Sequence, residues 1–142
     1  MVSAPRIFTV REAEATLPLV RRIVGDLLLA YPRWKELVAR YELLTGPLRA
    51  EDGEPAELQE IRAEVTGEAE RINGFLLELD QVGCVFKGFD AGLVDFYALK
   101  DDHLVFLCWR LGEPHITHWH EVEAGYAGRQ PIDQDMFSQT VA

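Results

Sequence analysis

The chain has only two cysteines in 142 residues, Cys84 and Cys108, far below the density of a disulfide-built scaffold and without a CxxC neighbour for either. Both lie in apolar, strand-like runs, where a reduced thiol packs as a small hydrophobe. Positive charge is also scarce. Fourteen Lys and Arg stand against 24 Asp and Glu, and the resulting formal charge of -10 repels phosphate backbones and anionic lipid. Nucleic acid and membrane surfaces are therefore not expected partners. No run approaches a membrane span, and Met1 to Phe8 lacks the charged region and apolar stretch of a signal peptide, so a cytoplasmic protein is expected. No serine sits in a nucleophile-elbow context. Lys87-Gly-Phe-Asp-Ala-Gly92 has neither the spacing nor the following helix of a phosphate-binding loop.

What is present is apolar content of 48%, enough for one domain of this length to bury a core. Thr9-Val-Arg-Glu12 fits a capping box, with Phe8 and Ala13 as its staple, so a helix starts here. Leu17-Pro18 kinks or restarts it. From Leu17 the apolar positions repeat every seven residues: Leu17, Val24, Tyr31 and Val38 form one row, and Val20, Leu27, Trp34 and Tyr41 the other. Thr45-Gly46-Pro47 stops the helix. Pro55 opens a second, with Leu58, Val65, Ile72 and Leu79 in one row and Ile61, Glu68 and Phe75 in the other. Each helix should run about 25 residues, giving a rod on the order of 40 Å long.

Beyond Gln81 the period changes. Val82 to Phe86, Leu93 to Leu99 and Leu104 to Trp109 read as strands, with Lys100-Asp-Asp-His103 as a turn, Ile116 to Val122 as a further strand and Gly125 to Pro131 as ordered loop. The expected fold is α+β: a long antiparallel, coiled-coil-like helical hairpin over 9–80, a small antiparallel β-meander and loop over 82–132, and a polar tail over 133–142.

Pro32, which frees the Leu28 carbonyl and bends the rod, and Glu68 break the helical pattern at one level. If the hairpin turns near residue 50, Gly67 faces Trp34 and makes room for its indole, while Glu68 falls beside Arg33 and next to Pro32. A carboxylate at a seam position needs a partner, so Glu68 either pairs with Arg33 or marks a site. In the C-terminal half, His118-Trp-His120 puts two imidazoles on one face of a strand, a spacing that suits a metal ion and equally suits histidines flanking a core tryptophan. Glu113 and Asp95 could complete a set of hard ligands. Pairing across the Asp101-Asp102 turn sets Asp95 opposite Cys108 and diagonal to Arg110, which makes an ion pair with Arg110 its default role. Lys87, Arg110 and Arg129 are the candidates for holding an anion.

At Gly92-Leu-Val-Asp-Phe96, Leu107-Cys-Trp-Arg110, Gly112-Glu113, Trp119-His120 and Gly125-Tyr-Ala-Gly-Arg129, the chain resembles the bacterial family called domain of unknown function 2203. The likeness extends to Phe8-Thr-Val-Arg-Glu-Ala13 and the heptad helices, nearly the whole chain. It implies a small bacterial cytoplasmic protein with a helical N-terminal half and no assigned activity. It also puts weight on Asp95, Arg110, Glu113, His120 and Arg129 as a polar pattern.

Two functional readings follow. In the preferred one the hairpin is an interaction or assembly module, because Leu28, Leu37, Leu43, Leu44 and Leu76-Leu77 fall outside the two main rows and a homodimer would bury them. In the alternative, His120 and Glu113, with His118, Glu68 or Asp95, bind zinc, iron or manganese in a metal-binding protein or small metal-dependent enzyme. Whether the chain is an enzyme is left open by its sequence.

Overall fold

The computed structural model describes residues 5–49, 51 and 53–133; all but the first residue of the tail expected over 133–142 lies outside them. Helix α1 spans Val10–Thr45 and helix α2 Ala56–Val82. The capping box forms as the sequence requires: the Glu12 amide donates to Thr9 Oγ1 at 3.0 Å, and the Thr9 amide to Glu12 Oε1 at 2.9 Å. Phe8 is buried just ahead of it, edge-on to Phe96, and its amide donates to the Tyr97 carbonyl at 2.7 Å. That bond ties the start of the rod to the sheet.

At 36 residues α1 is longer than the periodicity suggests, because Pro18 neither ends nor restarts it. Pro18 and Pro32 are both exposed, so carbonyls freed on that side can meet water, while Leu17, Val20, Val24 and Leu27 hold the opposite side in the core. Helix α2 runs through Val82, where a strand was expected. Gly83, at φ 100°, terminates it in the left-handed conformation, with its amide reaching the Leu79 and Asp80 carbonyls.

The five strands are β1 (Val85–Gly88), β2 (Leu93–Lys100), β3 (His103–Arg110), β4 (His118–Glu121) and β5 (Gln130–Pro131). Each pairs antiparallel with the next in chain order, a simple meander. Asp101 and Asp102 adopt positive φ (51° and 62°) in the tight turn between β2 and β3, which locks that register. The loop expected over Gly125 to Pro131 holds a 3-10 turn, Tyr126–Gly128, and the short edge strand β5.

Alternation divides the sheet into two faces. Val94, Phe96, Ala98, Val105, Leu107, Trp109 and Trp119 point inward and form one core with Leu17, Val20, Val24 and Leu27 of α1 and Ile72 and Leu79 of α2. Asp95, Phe106, Cys108 and His120 belong to the other face, and they too are buried. Farther along the rod the two helices pack mainly on each other, with Leu37, Leu58 and Ile61 buried outside the main core.

Arg33 and Glu68 do meet, Nε to Oε1 at 3.4 Å, as the antiparallel alignment requires. Gly67 has a different role from the one expected. A Cβ placed there would touch nothing within 4 Å, so the glycine is not making room for Trp34.

Candidate metal centre

The registers of two strand pairs build a polar cluster on the outer face. Pairing of β2 with β3 sets Asp95 directly opposite Cys108, and pairing of β3 with β4 sets His120 opposite Phe106, one diagonal step from Cys108. One carboxylate oxygen, one thiol sulfur and one imidazole nitrogen thereby lie within 4.8 Å of one another. Asp95 is 3% exposed, Cys108 1% and His120 2%.

The hydrogen bonds of His120 define its tautomer. Its Nδ1 lies 2.7 Å from the Glu121 carbonyl oxygen, which can only accept, so Nδ1 carries a hydrogen. Its Nε2 lies 3.1 and 3.2 Å from the two oxygens of Asp95. Either Nε2 or the carboxyl must then hold a second proton, or a cation must stand between them. Burial drives the Asp95 carboxyl above the usual carboxylate range, against the opposing pull of His120 and Lys87. Burial also pushes the Cys108 thiol up to about 12, with the Asp95 charge adding to the effect. As a free thiol Cys108 is thus a poor nucleophile.

A cavity of about 190 Å³ opens beside the three side chains. Lys87, Leu93, Val122, Gly125 and Tyr126 complete its lining. Lys87 Nζ sits 5.1 Å from the centre of the Phe106 ring. Next to the cavity, Arg129 Nη2 grips both oxygens of Glu113 at 2.8 and 3.1 Å, and Glu113 Oε1 also accepts the Arg110 amide at 2.7 Å. Burial opposes the charge of Arg129, but the Glu113 hydrogen bonds hold it above the ordinary arginine range. Arg110 donates from Nη1 to the Tyr126 hydroxyl at 3.5 Å.

A model of the family DUF2203, described as an uncharacterized conserved protein, matches residues 6–132. The chain belongs to that family. No curated protein and no solved structure is detectably similar to it. The DUF2203 segment takes in both helices and all five strands, hence every residue of the cluster.

Within this DUF2203 chain, the residues nominated from sequence are distributed unevenly. His120 and Asp95 come together, and Asp95 faces the imidazole rather than forming the expected fork with Arg110. His118 shares the sheet face, but its Nδ1 is 2.8 Å from Thr117 Oγ1 and it stands outside the cluster. The Glu113 carboxylate is taken up by Arg129. Glu68 is paired with Arg33 on the helices, which cover the inner face, so the sheet stands between it and the imidazole. Its expected convergence on His120 is excluded.

Sequence reasoning did not place Cys108 in the cluster. Both cysteines are free and buried, as expected, Cys84 with Sγ 3.4 Å from the Leu79 carbonyl oxygen. The signal for Cys108 was the same hairpin register that set it opposite a carboxylate.

Proposed function

We propose that this DUF2203 chain binds a divalent metal ion through Asp95, Cys108 and His120, with a further coordination position turned toward the adjoining cavity. The observation that carries the reading is His120: Nδ1 donates to a backbone carbonyl, and Nε2 is aimed at a buried carboxylate beside a buried thiol. Metal-ligating histidines characteristically have their second nitrogen anchored in this way. A thiolate in the set favours zinc, or iron, over manganese. Three protein ligands with a fourth place open is the composition of a reactive zinc site rather than a closed structural one, so the centre could polarise water or a carbonyl. Two free, buried cysteines are in keeping with a reducing, cytoplasmic setting.

The test is metal analysis of tag-free protein after reconstitution with zinc, with His120→Ala and Cys108→Ser alongside and circular dichroism to verify folding. One equivalent in the parent and little in the variants is expected. A folded parent that takes up no metal overturns the reading.

Assembly through the hairpin is a second reading, favoured by a separate observation. Leu37 is buried and Leu28 and Leu76 pack on the core, so the chain itself absorbs three of the surplus leucines. Leu43 and Leu77 remain 77% and 60% exposed, and Leu29, which was not singled out, 76%. A homo-oligomer would cover them. Light scattering across a concentration series tests it; a strictly monomeric particle rejects it.

A further inference from the structure

Charge and shape at the cavity go one step beyond metal binding, and the step rests on that reading. With a divalent ion held by the Asp95 carboxylate and the Cys108 thiolate, and with His120 neutral, the centre carries no net charge. Among the described residues, the remaining cation in the cavity wall is Lys87, and no carboxylate other than Asp95 lines it. The nearby Arg129 and Glu113 cancel each other. Arg110 is turned to the Tyr126 hydroxyl. The metal-loaded cavity is therefore a locally positive spot on a chain whose formal charge is -10.

The other walls are apolar: Leu93, Val122 and the ring of Tyr126. Arg129 lies 4.8 Å from the centre of that ring and Arg110 6.0 Å, which holds the aromatic wall in position. A volume of about 190 Å³ is smaller than the roughly 300–1,000 Å³ of pockets for drug-sized ligands. A phosphate would turn unpartnered oxygens toward leucine and valine, at a desolvation cost. A short hydrocarbon with one anionic end meets both surfaces at once.

We infer that the cavity is the binding site for a short-chain carboxylate, whose carboxylate lies between the metal's open position and Lys87 and whose hydrocarbon part rests against Leu93, Val122 and Tyr126. Lys87 supplies the charge that separates an acid from its neutral amide. The metal supplies the second contact, so binding requires it.

Cobalt(II) reports directly on its own coordination, which makes the cobalt-loaded full chain the probe. Butyrate, butyramide and inorganic phosphate are titrated separately while the visible d–d bands are followed. Butyrate should shift the bands saturably, with butyramide and phosphate at least tenfold weaker. Lys87→Gln should keep its cobalt but lose about tenfold or more in butyrate affinity, the size of a charge-assisted hydrogen bond, and Lys87→Arg should recover part of it. Stoichiometric cobalt with no response to butyrate overturns the inference and leaves the metal reading standing. So does equal binding of butyrate by the parent and Lys87→Gln, or preference for phosphate or the amide. A folded chain that takes up no cobalt fails at the earlier step, before any acid is added, and overturns both.

Discussion

His120 Nε2 stands almost equidistant from the two carboxylate oxygens of Asp95, at 3.1 and 3.2 Å, with both side chains shut away from water. In the metal-free fold this pair must keep a proton or bury a charge, because the other ring nitrogen is committed to Glu121. The folded chain holds the Asp95 proton more tightly than the unfolded chain does. Its contribution to stability is thus present below the ordinary carboxylate range and is lost as pH rises through the raised folded value.

That linkage makes Asp95→Asn informative. An asparagine amide can donate to Nε2 with no charge to bury, so the metal-free variant should melt at the same temperature as the parent or a few degrees higher near neutral pH. Zinc at a hundredfold excess over Kd should stabilise the parent by about 2.7 kcal/mol and the variant hardly at all. Scanning calorimetry with and without zinc measures both. A variant that is destabilised without metal and still stabilised by it would assign Asp95 a purely structural role.

Metal uptake should depend steeply on pH. The Cys108 thiol, pushed up to about 12, must give up its proton to bind, so each unit of pH below that value costs about tenfold in apparent affinity. Competition with a chromophoric chelator between pH 6 and 8 should show affinity rising by at least about a hundredfold. A flat profile would mean that the thiolate is not a ligand.

Glu68 provides the contrasting case. Its Oε2 atom is buried without a hydrogen-bond partner among the described residues, while Arg33 on its other oxygen is mostly solvent-exposed. Such a carboxylate gives little stability, and an apolar side chain of similar length should be tolerated or preferred. Glu68→Met should leave zinc content unchanged and raise stability by on the order of 1 kcal/mol in urea unfolding. Reduced zinc content would return Glu68 to the site.

Gly92 immediately precedes the strand that carries Asp95. At φ 67° it is left-handed, and a Cβ there would approach Leu111 Cβ and Val24 Cγ1 to 2.9 Å. Gly92→Ala combines backbone strain with overpacking between sheet and rod, so a loss of about 3 kcal/mol is expected from denaturant midpoints. Little or no loss would show that this junction is loosely packed.

The helical hairpin was legible in the chain because it rests on local rules. Thr9 and Glu12 cap α1 through three residues of sequence, and Leu17, Val20, Val24 and Leu27 recur with the helical period whatever they touch. The Asp101-Asp102 turn likewise set Asp95 opposite Cys108 by counting outward from a tight hairpin. Where a boundary depended on one backbone angle, as at Gly83, periodicity alone placed it wrongly.

The partner of Asp95 was a different kind of question. His120 reaches it from β4, 25 residues further along and not a direct neighbour of β2 in the sheet, across a connection whose length sets no register. Glu68 and Glu113 looked equally suitable as ligands, since a carboxylate in a sequence does not reveal which cation it will meet. The amino-acid order alone determined two amphipathic rods, a meander and a set of candidate polar side chains. Only the packing of the rods onto one face of the sheet decided which of those residues would share the other, because contacts between distant segments follow from burial of the whole apolar surface and not from any local spacing.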